Sequence, residues 1–448
     1  MKTRRNLIPI CLLCCALPQT STSEAQTVTK VAAGRYHSLF LKSDGSLWAM
    51  GDNEYGQLGD GSYNQAKLPE QIVASDVTAI AAGDYHSLYL KNDGSLWGMG
   101  VNNGGELGDG TYKNQINQPE QIVASGVTAI AAGSGHSLFL KNDGSLWGMG
   151  VNDSGELGDG TGNSTNRPEQ IVTEGVKAIA AGGYNSLFLK NNGSLWAMGG
   201  NTAGQLGDGT GNGAYSPEQI VAGNVTAIAA GFETSFFIES DGSLWAMGYN
   251  NNGQLGDGTY HNTNQPERIV TVGVAAIAGG GYHALFLKND NSLWVMGWDY
   301  YGQLGNGTYG NTNRPDEIVP GGVTSIAGGQ DHSLFVKSDG SLWVMGHNND
   351  GQLGNGGLCI FTNLPEQIVA GVPPGLNQIC CRLLSGGCVG LSFVGLAGTN
   401  YALDRTFNLA PPNWVPQATN PAGAGGVLVF TNTPDPTTNN FWRIRSVL

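Results

Sequence analysis

The sequence predicts an all-β fold, a seven-bladed β-propeller of four-stranded antiparallel blades. Two observations predict it. The tripeptide Ser-Leu-Trp recurs seven times at intervals of 49 or 50 residues, and a period of this length is typical of repeat architectures. Glycine makes up 71 of the 448 residues, whereas Asp, Glu, Lys and Arg together make up 12%. This composition favours many turns and little long helix.

The second repeat shows how one blade is built. Four short runs are rich in apolar or β-compatible residues and are separated by Gly, Asn and Asp; they are Val77–Ala82, His86–Lys91, Ser95–Met99 and Pro119–Val123. Asp93-Gly94 lies between the second and third runs, and such a pair suits a tight hairpin turn. Each repeat therefore predicts one antiparallel blade of four strands.

Alternation within the third strand indicates how the blades pack. Trp97 and Met99 point to one face of the strand, and Leu96 and Gly98 point to the other, so both faces require cover. A sheet held between two neighbouring sheets meets that requirement. We therefore predict a structural packing role, and no cofactor-binding role, for the tryptophans at this position: Trp48, Trp97, Trp147, Trp196, Trp245, Trp294 and Trp343.

Short motifs within the repeats resemble those of the regulator of chromosome condensation repeat family. They include Gly83-Asp84-Tyr85-His86-Ser87-Leu88, Met99-Gly100 and Gly56-Gln57-Leu58-Gly59. The resemblance implies a seven-bladed propeller over residues 28–372, closed by strands from both ends of the repeat region. Met-Gly stands where the family usually has Trp-Gly, which we interpret as a packing substitution.

The two ends of the chain fall outside the repeats. Lys2, Arg4 and Arg5 precede an apolar run, so residues 1–25 are predicted to be a signal peptide, and we expect a secreted, periplasmic or cell-surface protein, bacterial in type. No later run is long enough to span a membrane. After the last repeat the period is lost, and residues 375–448 are predicted to form a small C-terminal β-sandwich-like domain. Its predicted strands are Leu391–Val394, Tyr401–Leu403, Val427–Thr431 and Phe441–Ile444.

The charge of the chain bears on its partners. Without residues 1–25 the formal charge is −16, because three basic residues and one acidic residue are lost from a chain of charge −14. Such a surface repels phosphate backbones, so we expect no nucleic-acid partner. Four cysteines remain, and three disulfide pairings are open to them. They are Cys359, Cys380, Cys381 and Cys388.

One position of the repeat holds histidine five times, at His37, His86, His136, His283 and His332, and is Asn185 or Thr234 in the other two repeats. A ring of histidines suggests a metal site, but equivalent side chains in adjacent blades lie too far apart to share an ion. We predict that these residues brace loops by hydrogen bonding, and we expect no metal or other cofactor. Aspartates such as Asp60 suggest calcium loops, although an Asx turn explains them more simply.

Aromatic residues vary in the turn between the first and second strands. Tyr36, Tyr85, Tyr184, Phe232 and Tyr282 occupy this turn in five repeats, and Trp298 and Tyr300 lie in a second class of loop. Equivalent turns emerge on one face of a propeller, so these side chains are candidate binding residues. The alternative is that they shield the edge of the next blade.

The leading functional hypothesis is a non-enzymatic, monomeric binding module that engages an extracellular or periplasmic protein or glycan. The family resemblance implies a second possibility, guanine nucleotide exchange on a small GTPase, which the negative charge and the near-constant repeat length oppose. A third possibility is an enzyme acting on polysaccharide, for which paired carboxylates would be needed. Asp84, Glu233 and Asp331 are the candidates in the ring of turns.

Overall fold

The computed structural model describes residues 26–357 and 359–371 in full, and the backbone of six strands beyond residue 378. Thr27–Val372 form one compact unit, and the later strands belong to a second unit. The described residues contain no helix that is long and apolar enough to cross a membrane. The predicted signal peptide, residues 1–25, lies outside the described residues.

Seven four-stranded antiparallel sheets make up the propeller, and each uses four consecutive strands. The first three blades are β1 (Val28–Ala33), β2 (His37–Lys42), β3 (Leu47–Gly51), β4 (Ala66–Val73); β5 (Val77–Ala82), β6 (His86–Lys91), β7 (Leu96–Val101), β8 (Gln115–Val123); and β9 (Val127–Ala132), β10 (His136–Lys141), β11 (Leu146–Gly150), β12 (Thr165–Val172). The next two are β13 (Val176–Ala181), β14 (Asn185–Lys190), β15 (Leu195–Gly199), β16 (Ala214–Val221); and β17 (Val225–Ala230), β18 (Thr234–Glu239), β19 (Leu244–Gly248), β20 (Thr263–Val270). The last two are β21 (Val274–Gly279), β22 (His283–Lys288), β23 (Leu293–Gly297), β24 (Thr312–Val319); and β25 (Val323–Gly328), β26 (His332–Lys337), β27 (Leu342–His347), β28 (Phe361–Val369). The predicted fold class is therefore confirmed.

The outermost strand of a blade is longer than its sequence indicates. In the second blade β5 and β6 have the predicted bounds, whereas β8 begins at Gln115, four residues before the predicted start. Its first four residues are polar except for Ile116, which is buried, and Val101 pairs with Gln115 after a register shift between Gly98 and Gly100. A strand at the rim has solvent on much of its surface, so it needs no apolar alternation to form.

The innermost strands converge on the central axis. Their last residues are alanine or glycine in every blade, and they line a channel of about 250 Å³. Small side chains are required there because seven strands meet around one axis.

Closure of the ring differs from what the family resemblance implies. The seventh blade, β25–β28, is built wholly from residues of one repeat, so the expectation of closure by strands from both ends is wrong. The repeat begins with an innermost strand and ends with an outermost strand, which leaves seven complete sheets. The ring closes through contacts between blades instead: the amide of Val28 donates to the carbonyl of Gly340 at 3.0 Å, and Phe40 and Met50 share a core cluster with Leu334.

The Trp-x-Met pair of the third strand joins each blade to its neighbours. Met99 is fully buried in a cluster with Leu39 and Leu47 of the first blade. Trp97 lies flat against Tyr89, with ring centroids 6.1 Å apart, and the Lys91 ammonium lies 4.4 Å from its ring centroid. Lysine covers the tryptophan in this way in six blades.

The fifth blade preserves the same contact with different residues. Glu239 replaces the lysine, and the guanidinium of Arg268, on the outermost strand, lies 6.0 Å from the centroid of Trp245. The outermost strand has Gln71 at the equivalent place in the first blade, where Lys42 already covers Trp48 at 3.8 Å.

A glycine follows each innermost strand where neighbouring blades come closest. A side chain on Gly83 would collide with the carbonyl oxygen of Gly133 in the next blade and with the imidazole of His86 in its own blade. The amide of Asp84 donates to that same carbonyl at 3.3 Å. The equivalent glycines carry the same constraint: Gly34, Gly83, Gly133, Gly182, Gly231, Gly280 and Gly329.

The repeated histidines donate hydrogen bonds between blades. His86 Nε2 lies 2.9 Å from Ser137 Oγ of the next blade, and Ser137 Oγ donates to the carbonyl of Glu106 at 2.7 Å. Because the hydroxyl proton is used on the carbonyl, the serine must accept from the imidazole, so Nε2 carries the proton. The other nitrogen, Nδ1, has no partner among the described residues.

One interface lacks this bond, and both of its partners differ. At the junction of the fifth and sixth blades Thr234 replaces the histidine, and Ala284 replaces the serine. Asn185 keeps the bond by donating to Ser235 at 3.0 Å. The remaining junctions pair His37 with Ser87, His136 with Ser186, His283 with Ser333 and His332 with Ser38, at 2.8–2.9 Å.

The second unit contains two three-stranded sheets. Their orders are β29-β30-β33 and β32-β31-β34, with bounds Ile379–Leu383, Val389–Val394, Asn400–Thr406, Val415–Pro421, Val427–Asn432 and Phe441–Val447 for β29 to β34. All four predicted strands are present, each of them longer than predicted. Two strands, β29 and β32, were not predicted. Pro416 and Pro421 argue against a strand at β32, but β32 is an edge strand, where proline is tolerated. The side chains of Cys380, Cys381 and Cys388 lie outside the described residues, as does their pairing with the exposed Cys359.

The hydrogen bond between blades can be tested at His86. Replacement by alanine removes the donor to Ser137 and should lower the free energy of unfolding by about 1–3 kcal/mol. His86→Asn should lose less than about 1 kcal/mol, because Asn185 makes the same bond. Thr234→Ala is the matched control at a junction without the bond. Urea unfolding measures the free energy of unfolding of all three variants. An equal loss of this free energy in the Asn and Ala variants would refute the role of the bond.

Stability should fall as the pH drops below about 6.5. Burial lowers the pKa of His37, His136 and His332 to about 3 and that of His86 and His283 to about 4. The unfolded chain then binds more protons than the folded chain between about pH 6.5 and 4, so acidification favours unfolding. Carboxyls with a raised folded pKa, among them Asp299 and Asp331 at about 6, act in the opposite sense. Carboxyls with a lowered folded pKa, such as Asp109 and Asp257, act in the same sense as the five histidines, so we expect the histidines to set the direction.

Thermal midpoints measured from pH 7 to pH 5 check this expectation. The double variant His86→Asn, His283→Asn should show a shallower decline over the same range, because two of the titrating groups are gone. A midpoint that is constant or rises on acidification would contradict the assignment of neutral, buried imidazoles.

Candidate binding face

One face of the propeller carries the variable residues of the repeats. In a four-stranded antiparallel blade, the turn between the first and second strands and the loop between the third and fourth strands emerge on the same side. The seven first turns surround a depression of about 180 Å³ at the mouth of the axis, lined mainly by glycine and alanine. Arg35, Asp84, Phe232 and Gln330 also border it. We call this side the aromatic face.

Aromatic side chains form a chain of contacts across this face. Tyr184 contacts Phe232 with ring centroids 5.2 Å apart, Phe232 contacts Tyr282 at 5.9 Å, and Tyr282 contacts Trp298 at 5.7 Å. Tyr249 also contacts Tyr282, at 5.8 Å. These residues come from the fourth, fifth and sixth blades, so the contacts join neighbouring blades on their outer surface.

The chain of contacts continues into the seventh and first blades. Trp298 contacts both Tyr300, at 6.2 Å, and Tyr301, at 5.7 Å. Tyr301 lies 4.5 Å from the His347 ring, and His347 lies 6.2 Å from Tyr36. The aromatic series therefore crosses the junction at which the ring of blades closes.

An arginine links the aromatic series to the second blade by contacts with two tyrosine rings. The guanidinium carbon of Arg35 lies 5.3 Å from the Tyr36 centroid and 5.4 Å from the Tyr85 centroid, and Tyr85 contacts Tyr55 at 5.0 Å. We call the connected rings the aromatic arc: Tyr55, Tyr85, Tyr36, His347, Tyr301, Tyr300, Trp298, Tyr282, Tyr249, Phe232 and Tyr184. All seven candidate binding residues from the sequence lie in it.

Three members of the aromatic arc were missed in the sequence, namely Tyr55, Tyr249 and His347, and Tyr301 was assigned to the varied loop of Trp298 and Tyr300 but not to the candidate binding residues. Tyr249 and His347 follow the Met-Gly pair of their repeats, as Trp298 does, and a comparison of that position across repeats would have found both. Tyr55 and Tyr301 lie three residues further on, where the loop of one blade reaches the next blade. No repeated residue pattern in the sequence indicates that this loop contacts the next blade.

The third blade interrupts the aromatic arc. Its first turn contains Ser134 and Gly135, and a side chain on Gly135 would meet Val151 of the same blade. An outer set of exposed tyrosines shows the same asymmetry, with Gly162 and Gly211 at the equivalent positions of the third and fourth blades. These tyrosines are Tyr63, Tyr112, Tyr260 and Tyr309.

The aromatic face is strongly acidic. Its first turns and third-to-fourth loops contain fifteen Asp and Glu residues, and Arg35 and Lys113 are the basic residues among them. On the opposite side, lysines such as Lys42 and Lys91 lie over tryptophan rings. The two sides of the propeller therefore present different chemistry.

The three candidate carboxylates have different surroundings. Asp84 lies 3.6 Å from the Arg35 guanidinium, and burial, opposed by Arg35, raises its pKa. Burial also raises the pKa of Glu233. Asp331 is 7% exposed, and burial raises its pKa to about 6. They lie on the second, fifth and seventh blades, and no hydrogen bond joins any two of them.

The other candidate sites are occupied by contacts within the protein. Asp60 accepts from the amide of Ser62 at 2.8 Å and from Asn53 Nδ2 at 2.9 Å, as in an Asx turn. The repeated histidines use Nε2 on serine hydroxyls, as described above. In the part of the chain that the structure describes, no group of three or more His, Cys, Asp or Glu side chains is placed to hold a metal ion.

Models of one repeat family match most of the propeller. An RCC1-like domain model matches residues 6–222. Two models of the regulator of chromosome condensation (RCC1) repeat match residues 241–287 and 290–336, and residues 225–254, 274–303 and 323–352. Among curated proteins, the X-linked retinitis pigmentosa GTPase regulator homolog of Caenorhabditis elegans is 49% identical over 39 residues, which are 9% of this chain and 3% of that protein.

Solved structures share the fold at low identity. Human WBSCR16 is 24% identical, with a TM-score of 0.63 over 70% of this chain and 88% of that one. Prp20p of Saccharomyces cerevisiae, in a structure described together with its binding to Gsp1p and histones, is 22% identical, with a TM-score of 0.66 over 74% and 88%. The same yeast protein bound to Kap60 is 20% identical, with a TM-score of 0.65 over 82% and 91%. Together with the repeat motifs and the seven blades, the family models show that this chain belongs to the regulator of chromosome condensation (RCC1) repeat family.

Proposed function

We propose that the protein is a non-enzymatic binding module that engages a protein or glycan through the aromatic face. The aromatic arc is the observation that carries this proposal. Tyrosine and tryptophan supply large contact areas at low cost in conformational entropy, and they are enriched where binding energy is concentrated. Membership of this repeat family also supports a role in protein binding.

The rigidity of the scaffold supports the same proposal. The main-chain atoms behind the aromatic arc are hydrogen bonded: the amide of Trp298 donates to the carbonyl of Tyr282 at 2.9 Å, and that of His347 donates to the carbonyl of Asp331 at 2.8 Å. Rings held in place before contact lose little freedom on binding. The arc is thus organised in advance as a contact surface.

Catalysis is the weaker interpretation of this face. Glycosidic chemistry needs two carboxyl groups that face each other across a bond, and Asp84 is engaged by Arg35 instead. The histidine and serine pairs are not nucleophilic sites, because each serine proton is donated to a backbone carbonyl, as Ser87 donates to Gln57 at 2.7 Å.

A location outside the cytoplasm is part of the proposal. It is supported by the charged start and apolar run of residues 1–25, and by the acidic surface of the chain that follows. Under this proposal the aromatic face meets molecules of the periplasm, the cell surface or the medium, and the chain acts as a monomer.

The binding face can be tested by truncating three rings. Tyr36→Ala, Tyr85→Ala and Tyr282→Ala, combined in one chain, should weaken binding to a captured partner by roughly a hundredfold or more, because each removes a ring from the contact surface. The control combines Leu68→Ala, Tyr215→Ala and Leu364→Ala, three exposed residues of outermost strands. Titration calorimetry measures the affinity of both variants for the partner. Equal affinity of the tyrosine variant and the unchanged chain would refute the assignment of the aromatic face as the binding surface.

Export can be tested separately. In a bacterial host, the full chain should be recovered from the periplasm or medium with Gln26 as its first residue, whereas the chain lacking residues 2–25 should stay in the cytoplasm. Cell fractionation with N-terminal sequencing distinguishes the two. Retention of the full chain in the cytoplasm with residues 1–25 intact would contradict the proposed location.

A further inference from the structure

Asp331 is an unusual residue on the aromatic face because its carboxylate is buried without a partner. The residue is 7% exposed, and its Oδ1 atom is sealed from solvent. Neither carboxylate oxygen accepts a hydrogen bond from any residue that the structure describes. Burial of an unpaired charge is unfavourable, and buried carboxylates are ordinarily paired. An isolated one at a surface of varied residues indicates a group that pairs with something outside the chain.

Asp331 lies beside a group of aromatic rings at the junction of the sixth, seventh and first blades. The His347 amide donates to the Asp331 carbonyl, which places the two residues side by side. His347 contacts Tyr301 at 4.5 Å and Tyr36 at 6.2 Å. Burial, and next the charge of Asp331, raises the pKa of the Tyr301 hydroxyl.

The neighbouring junction holds a cation of the chain in a group of similar residues. Between the first and second blades the guanidinium of Arg35 lies 5.3 Å from the Tyr36 centroid and 5.4 Å from the Tyr85 centroid. Its counterion is Asp84, at 3.6 Å. A cation between two tyrosines and a carboxylate gains cation–π and ionic attraction together.

Among the described residues, no lysine or arginine forms an ion pair with Asp331. The residue equivalent to Arg35 in the seventh blade is Gln330. Arg35 reduces the pKa rise of Asp331, but its guanidinium is engaged by Asp84 and two rings. The excess of carboxylates on the aromatic face, fifteen against two basic residues, would attract a cation from solution.

We propose that Asp331, Tyr36, Tyr301 and His347 form a subsite for a basic side chain, an arginine or a lysine, that projects from a protein partner. The subsite repeats the chemistry of Arg35 with the cation supplied by another molecule. This inference rests on the proposed binding function, and it narrows the partner from a protein or glycan to a protein with an exposed basic residue.

Selection from a random heptapeptide library displayed on phage tests the subsite, with the chain from Gln26 onward as the target. Peptides retained by the unchanged chain should be enriched in arginine or lysine. The best of them, made synthetically, should bind Asp331→Asn at least about tenfold more weakly. Asp153→Asn is the matched control, because Asp153 is an exposed carboxylate of the same face on the third blade, away from the aromatic arc. That variant should bind as the unchanged chain does.

The outcomes separate this inference from the proposed function. Peptides that lack a basic residue, equal affinity for Asp331→Asn, or no selected peptide at all would overturn the subsite. In each of these cases the triple tyrosine variant tests the proposed function separately. If it binds the selected peptides, or a neutral oligosaccharide from a glycan array, more weakly than the unchanged chain does, the aromatic face remains the binding surface. If the tyrosine variant binds normally as well, the proposed function fails together with the subsite.

A stability measurement complements the binding experiment. Asp331→Asn removes an unpaired buried charge, so it should raise the thermal midpoint above pH 6 while it weakens peptide binding. Burial raises the pKa of Asp331 in the folded chain to about 6, so the ionised carboxylate destabilises the fold. The difference in thermal midpoint between the variant and the unchanged chain should therefore fade below about pH 4, where the carboxyl is protonated in the folded and the unfolded chain. A variant that lowers the midpoint at pH 7.5 would show that Asp331 has a stabilising partner within the chain, which contradicts the subsite.

Discussion

Neighbouring blades approach each other most closely at the axis, and this contact limits which residues the repeat can hold there. Each innermost strand is followed by a glycine whose Cα faces the carbonyl of the equivalent glycine in the next blade. A side chain of its own blade, an imidazole in five of the seven blades, packs against the same glycine. No larger residue therefore fits at this position. The imidazole of one blade then reaches the serine of the next, as His86 reaches Ser137. Because every blade must satisfy the same geometry, the repeat retains these residues and keeps a nearly constant length.

Where one member of such a contact changes, its partner differs as well. Thr234 stands opposite Ala284 at the one junction without the hydrogen bond. Glu239, which cannot lie over a tryptophan face as a cation, is accompanied by Arg268, which can. A single change would leave a buried donor without an acceptor, or a tryptophan ring without its cation, whereas the paired change leaves neither. The repeats therefore preserve interactions between residues, and the residue types follow from the interactions.

A scaffold joined in this way leaves the turns of one face free to vary. They carry the aromatic arc, which spans the blades from the fourth through the seventh to the second and stops at the third. Rigid rings, an excess of carboxylates and one unpaired buried aspartate lie together on that side, while lysines cover tryptophans on the other. Within this division of roles, packing residues recur in every repeat, and under the proposed function the residues that differ between repeats determine what the surface binds.

The repeat period and the strand pattern were enough to predict the blade, its seven copies and the side on which the variable turns emerge. Equivalent positions of a repeat must share one environment, so the period alone assigns Tyr36, Tyr85 and Tyr282 to one face. The rim strand that begins at Gln115 was shorter in the prediction, because exposed strands need no apolar pattern. Three features emerged only from the three-dimensional fold: how the ring closes, which rings of different blades touch, as Tyr301 and His347 do, and that Asp331 is buried without a hydrogen-bond partner. Those features depend on distances between residues far apart in the chain, and no local pattern records such distances.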